Sequence, residues 1–301
     1  MFGIFKILRL TRGLLVLSRE KDLIPENLIK SLPALVKIFL KIIPPNKKHG
    51  LSESLQKLGP TWIKMGQFLS TRPDIIGKEL SIHLRELQDS IPPFDKKFVE
   101  MAFIESFGED YKEKFEKIEE PIAAASIAQV HKAIIKINKT SQMVAVKILR
   151  PNIEDRIKKD LKDFYLAAKI LEKFSSEARR LRIIDVVKTL EESLSMEIDL
   201  RLEAAAQSEI IENTQYDEFI EIPKIFWDLT SKNILTTEWV DANPSKDLEK
   251  IKKKNIEFNC VGENIMKTFL ILAIRDGFFH ADMHQGNLFV KDDATINPVD
   301  F

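Results

Sequence analysis

The sequence predicts an α+β chain in two lobes, a β-rich lobe followed by a mainly helical one, with a helical region in front. Three observations predict it. Apolar residues recur at helical spacing over 51–90, 153–174 and 183–212. The period changes between 121 and 149, where "SIAQVHKAIIKI" and "MVAVKIL" read as strands. A last helical run, 257–278, leads into a polar loop within "GFFHADMHQGNLFV", residues 277–290.

Taken in order, the chain opens on "MFGIFKILRLTRGLLVLSR". A helix there sets Lys6, Arg9, Arg12 and Arg19 on one arc and most of the Ile and Leu on the other. Such a helix can lie on an anionic bilayer, although a helix packed on its own domain or a frayed terminus fits the same pattern. "KIIPPNKKHG", 41–50, reads as a linker. The helical stretch after it is broken at Gly59-Pro60 and at Arg72-Pro73-Asp74, and "SIPPF", 90–94, closes it. "NKTSQ" joins the two strands as a hairpin. Pro151 ends the second strand, because it has no N–H to donate, and Asn152 is placed to cap a helix of about 20 residues. A second long amphipathic helix covers about 183–212, and short strands return at "FIEIPKIFWD" and "NILTTEWV". The expected domains are 1–48, a basic amphipathic region; 49–120, a helical extension; 121–243, a sheet lobe with inserted helices; and 244–301, part of a helical lobe.

Composition narrows the class. Apolar residues make up 44% and charged residues 31%, which fits a soluble globular chain. A single cysteine, Cys260, excludes an intrachain disulfide and points to a reducing compartment. No cleavable signal pattern and no apolar run of about 18 residues is present. Residues 1–60 hold eleven Lys or Arg against four Asp or Glu, a surplus of seven; the chain is neutral, so the remainder is acidic by the same amount. A basic front end on an acidic body suggests an anionic surface as partner at that end.

The chemistry rests on spacing. Asp282 precedes Asn287 by five residues, Asp300 follows Asp282 by eighteen, and Lys147 lies mid-strand in "VAVKIL". Phosphoryl transfer needs a carboxylate to orient the nucleophile, an Asn and a second carboxylate for Mg²⁺, and a strand lysine for the α- and β-phosphates. All four occur, in the chain order Lys147, Asp282, Asn287, Asp300, at protein-kinase-like spacing. Hard Mg²⁺ prefers oxygen ligands, which suits Asn287 and Asp300. Singly, each is ordinary: most strand lysines face solvent, and Asp and Asn are common loop residues. Lys147, however, shares a strand face with small Ala145, opposite Val146 and Ile148. The rival chemistry, zinc on His280-x-Asp282-x-His284, ranks lower, since no distant Cys/His pair completes it. His280 is expected to order the loop by hydrogen bonding. Where a kinase carries G-x-G-x-x-G, this chain has "PIAAASIAQVH", with Ala123, Ala124, Ala125 and Ser126. Alanine amides still bind phosphate, but Cβ restricts the positive-φ geometry that glycine permits.

Four stretches resemble the UbiB-type atypical kinases of ubiquinone biosynthesis, the aarF-domain-containing group. "KMGQ", Lys64 to Gln67, resembles their K-x-G-Q signature, and "AAASIAQVH" their alanine-rich loop. "EID", Glu197 to Asp199, with Glu203 beyond it, resembles their E-x-D motif and helix glutamate. "HADMHQGN" and the final "DF" resemble their catalytic loop and metal motif. The match runs from about residue 50 to the end.

The resemblance implies a protein-kinase-like two-lobed fold with an N-terminal helical extension over the active site. It implies ATP and Mg²⁺ as cofactors, ATPase or small-molecule kinase activity, and a supporting role in coenzyme Q synthesis. Lys147 then contacts phosphate and pairs with Glu203. Asp282 is the catalytic carboxylate, and Asn287 and Asp300 hold the metal. Ala123, Ala124, Ala125 and Ser126 line the nucleotide. Lys64 and Gln67 reach into the cleft, where Glu197 and Asp199 meet Lys64; at helical spacing Asp199 and Glu203 share a face. Expected partners are membrane lipids or isoprenoid quinone precursors and other ubiquinone-biosynthesis proteins, with no nucleic acid. The expected location is the cytoplasmic face of the inner membrane, peripheral or anchored by a further C-terminal part. Met283 and Gln285 stand where prolines are usual in the loop. Phe301 comes last, where a glycine and the rest of the helical lobe are expected, so the lobe is read as truncated. The alternative function is a non-catalytic scaffold binding lipid or a partner. A hydroxylase is disfavoured, because no flavin fingerprint, haem pattern or iron triad is visible.

Overall fold

The computed structural model describes residues 37–38, 50–85, 87, 91–137 and 140–301. The expected amphipathic helix of 1–20, the linker over 41–49 and the hairpin tip at 138–139 lie outside the described residues. The described chain forms two compact units whose segments interleave. The first takes the residues up to Pro93, Ala124–Ala128 and Arg150–Met196; the second takes Phe94–Ala123, Gln129–Leu149 and Glu197–Phe301.

The first unit is helical. α1 (Leu51–Leu58) stops at Gly59, whose φ of 112° suits glycine. α2 (Pro60–Ser70) starts with proline at its first position, and α3 (Pro73–Ile76) does the same, so both expected breaks are present. α4 (Lys78–Arg85) follows. Leu51, Leu55, Ile63, Ile75, Ile76, Leu84 and Leu87 form their common core.

In this unit the chain later returns as a long helix of 22 residues, Ile153–Phe174. Asn152 stands at its N-cap in the left-handed region, φ 55°, and makes no side-chain capping bond. The expected cap fails there, because capping needs an extended backbone at that residue. The Trp62 ring meets Phe164 of this helix edge-on at 4.8 Å. A short helix, Ser176–Arg180, and a longer one, Ile183–Glu197, complete the unit, apart from the last residue of the latter.

The second unit opens with α5 (Lys96–Phe107) and α6 (Tyr111–Lys114). A four-stranded sheet follows, in the order β1 (Phe115–Ala124), β2 (Ala128–Ile137), β3 (Thr140–Leu149), β4 (Ile234–Glu238). With Thr140 to Gln142 in β3, the hairpin connection is shorter than "NKTSQ". Val144, Val146 and Ile148 are fully buried with Ala133, Ile135 and Phe103. Lys147 therefore projects from the opposite face of β3, opposite Leu235 of antiparallel β4.

Counting the first unit's three later helices as α7 (Ile153–Phe174), α8 (Ser176–Arg180) and α9 (Ile183–Glu197), the next is α10 (Leu200–Thr214). The single helix expected over 183–212 is thus two. Asp199 breaks it: its backbone is extended, and its carboxylate caps α10 through the N–H of Arg201. "FIEIPKIFWD" forms no strand; Pro223 interrupts it, and only isolated bridges at Ile220 and Ile225 remain.

The chain continues through β5 (Asn243–Pro244), α11 (Leu248–Lys253) and α12 (Phe258–Leu270). A π-helical turn, Ile271–Asp276, ends at Gly277 in the left-handed conformation. β6 (Leu288–Val290) and β7 (Ile296–Pro298) form an antiparallel hairpin in a three-stranded sheet with β5.

Candidate active site

β3 supplies the lysine. On the face opposite Val146 and Ile148, Lys147 donates to both oxygens of Glu203, at 2.9 and 2.8 Å, and to Oδ1 of Asp300. Glu203 stands in the first turn of α10, which the Asp199 cap and the bond from Leu200 N–H to Lys232 C=O hold in place. Buried Leu200 and Ala204 anchor that turn. At the far end of α10, Arg275 of the π-helical turn clamps Asp217 and the Asn213 carbonyl, so both ends of the glutamate's helix are fixed.

Lys147 and Glu203 side chains are mostly buried, whereas that of Asp300 is 54% exposed. Burial works against the lysine's charge, but Asp300 and Glu203 outweigh it and hold the ammonium protonated far above the usual lysine range. Burial likewise pushes the Glu203 carboxyl up; Lys147 opposes that shift and Asp300 adds to it. The result is an ammonium whose charged form is favoured by the two carboxyl groups it bonds. It is suited to meet phosphate charge.

The polar loop is ordered from within. His280 is buried, and its ring is engaged at both nitrogens: Nε2 with the Val299 carbonyl at 3.1 Å, and Nδ1 accepting from Asp282 N–H at 3.2 Å. Burial depresses its basicity, only partly offset by the Val299 bond, so the ring is neutral with the proton on Nε2. It packs on Phe301 at 4.8 Å. Nδ1 of His284 accepts from Gly286 N–H. These bonds account for the histidines, and among the described residues no group of three His, Cys, Asp or Glu side chains is arranged to hold a metal ion. The zinc alternative is set aside on the engaged nitrogens of His280.

Asn287 is buried and donates from Nδ2 to the Asp282 carbonyl at 3.2 Å. The β6–β7 register pairs Leu288 with Pro298, and Val299 N–H donates to Asn287 C=O. Asn287 is thereby held opposite Val299, one residue before Asp300. Asp300 itself has φ 66°, a left-handed backbone uncommon outside glycine and enriched at functional positions. With Nδ2 donating, Asn287 offers Oδ1, and Asp300 offers carboxylate oxygen. This all-oxygen donor set fits Mg²⁺.

Of the predicted residues in the second unit, Lys147, Glu203 and Asp300 bond one another through Lys147, and Asp282 and Asn287 are joined in the loop whose Asn287 carbonyl accepts from Val299, next to Asp300. Glu197 and Asp199 lie in the same unit. Asp199 is paired with Arg201 at 2.9 and 2.6 Å, and as the cap it does not share a helix face with Glu203. Lys64 and Gln67 are half-buried on α2 of the first unit, three apart and so on one face. Ala123 belongs to the second unit, and Ala124, Ala125 and Ser126 to the first. Ala123 and Ala124 finish β1, so the turn proper starts at Ala125. The amide of Ala125 donates to Ala128 C=O at 2.8 Å, so that donor is already engaged.

Two structural contributors escaped the sequence. Gln129 receives Phe94 N–H and donates to Nε2 of buried His131, whose Nδ1 meets the Glu119 carbonyl at 2.7 Å. Arg150, directly after β3, donates twice to the Ala125 carbonyl of the alanine-rich turn. The only sequence signal for either was a polar residue beside a strand end or among apolar neighbours.

The family model of the ABC1 atypical kinase-like domain matches residues 86–301. The chain belongs to this family. The kinase-like mixture of helix and sheet expected from the sequence is that of the ABC1 fold. The chain is similar to proteins named "Probable protein kinase UbiB". The one from Pseudomonas paraeruginosa is 35% identical over 97% of this chain and 56% of its own length. The one from Marinobacter nauticus is 37% identical over 90% and 50%. A solved ABC1-like structure, the complex of Rv3197 with erythromycin from Mycobacterium tuberculosis, aligns with a TM-score of 0.60 and 26% identity. That alignment covers 70% of this chain and 52% of the other. The chain spans about half the length of the curated relatives it matches.

Proposed function

We propose that this ABC1-family chain binds ATP with Mg²⁺ and carries out atypical phosphoryl transfer, as an ATPase or small-molecule kinase, in support of ubiquinone biosynthesis at a membrane. The observation that carries the reading is the convergence of Lys147, Glu203 and Asp300. A lysine whose ammonium is stabilised by two carboxyl groups is poised to trade one of them for phosphate oxygens. Glu203 fixes the ammonium. Asn287 and Asp300 would hold Mg²⁺, which supplies charge neutralisation on the phosphates. Asp282 would orient the attacking hydroxyl or water and accept its proton. Membrane lipids or isoprenoid quinone precursors, and other proteins of the same biosynthesis, are the partners this role requires.

A thermal melt with and without Mg-ATP tests it. The expected result is a rise in Tm that is absent in Lys147→Ala and Asp300→Asn, each compared with its own ligand-free melt. Equal melting temperatures for the unsubstituted chain count against nucleotide binding. The engaged Ala125 amide favours a second reading, a nucleotide-holding scaffold without turnover. Phosphate release abolished by Asp282→Asn rules that out; nucleotide binding without any release supports it.

A further inference from the structure

We infer that Arg150 is a positioning residue for the alanine-rich turn, doing with a guanidinium what the turn's own residues cannot do alone. Its Nε and Nη2 both donate to the Ala125 carbonyl, at 3.1 and 2.8 Å. The same Nη2 reaches the carbonyls of Pro92, at 3.1 Å, and Ile91, at 3.3 Å. Its backbone N–H donates to Ile127 C=O at 2.8 Å. Both backbone polar groups of Ala125 are therefore committed, the N–H to Ala128 and the C=O to Arg150.

The planar five-donor fork suits this task and a lysine does not, because one rigid group must reach carbonyls on two chain segments. One segment is the turn. The other is the stretch that closes the helical extension bearing Lys64 and Gln67. Arg150 thus ties the exit of the extension to the turn, within one compact unit. The consequence goes beyond shape. With Ala125 held from both sides, the turn presents a fixed backbone, and any phosphate it receives meets preset donors rather than a loop that must be ordered on binding. The nucleotide part of this inference rests on the proposed ATP binding; the fixing of the turn does not.

The test compares the full chain with Arg150→Ala and Arg150→Lys, by amide hydrogen exchange over residues 124–128 and by Mg-ATP titration. Exchange over the turn is expected to speed up about tenfold or more in Arg150→Ala, while the core of β3 stays protected. The Kd or KM for ATP is expected to rise about tenfold, with kcat changed less, as for loss of uniform binding. Arg150→Lys is expected to fall between the two, and added guanidinium ion is expected to restore part of the affinity of Arg150→Ala at concentrations that leave the unsubstituted chain unaffected. Unchanged exchange over the turn in either folded variant overturns the inference, whatever the nucleotide result. Faster exchange with unchanged ATP affinity overturns its nucleotide part. No ATP binding by the unsubstituted chain removes the proposed function while the exchange measurement still decides the role of Arg150. If Arg150→Ala does not fold, Arg150→Lys carries the exchange comparison.

Discussion

Lys147 binds two carboxylates at once, and the two are not equivalent. Glu203 is mostly buried and receives the ammonium through both oxygens; Asp300 is half exposed and receives it through one. Removing the lysine strands Glu203 as an uncompensated buried charge, whereas Asp300 has water to turn to. Lys147→Ala is therefore expected to destabilise the protein by on the order of 3 kcal/mol. Adding Glu203→Gln is expected to recover part of that loss, because the stranded charge is gone. Adding Asp300→Asn to Lys147→Ala is expected to recover little. Urea denaturation of the single and double variants gives the coupling energies, and equal recovery from the two carboxylate substitutions contradicts the asymmetry.

At the scale of elements, the glycine of the K-x-G-Q stretch has a packing reason. A Cβ at Gly66 on α2 falls 2.7 Å from Leu87 Cδ1 and 2.9 Å from Leu55 Cδ1, with Leu84 Cδ2 at 3.4 Å. All three leucines are core residues, so the intruding methyl has no free volume to enter. Gly66→Ala is expected to cost about 1–3 kcal/mol by overpacking, despite the better helix propensity of alanine. A chemical-denaturation midpoint equal to or above that of the unsubstituted chain contradicts the close approach. The breaks at Gly59-Pro60 and Arg72-Pro73 were legible, because proline and positive-φ glycine act locally. The break at Asp199 was not: the apolar period runs on through 183–212, and the bond from Leu200 to Lys232, thirty-odd residues on, decides where α10 begins. Asn152 looked like a cap by type, yet the cap depends on a backbone angle that composition does not encode.

Across the whole molecule, the site was legible as order and spacing but not as contact. Lys147 and Asp300 lie 153 residues apart, and the β3 face, the α10 start and the β6–β7 register bring their side chains together. Arg150 was invisible because its acceptors are backbone carbonyls, which carry no residue-type signature. Charge distribution, by contrast, is read directly from sequence. The basic surplus of seven in residues 1–60 faces an equally acidic remainder, so an anionic surface is expected to attract the front end and repel the body. Co-sedimentation with phosphatidylcholine vesicles containing phosphatidylglycerol is expected at about 0.05 M salt and lost by about 0.5 M, where the Debye length falls to a few ångströms. Neutral vesicles are expected to bind poorly. Replacing Lys6, Arg9, Arg12 and Arg19 together by glutamine is expected to weaken binding strongly, at about 1 kcal/mol per residue near the surface. Binding that ignores salt and survives the fourfold substitution assigns membrane contact to apolar surface elsewhere on the chain, and the basic front end then has no part in it.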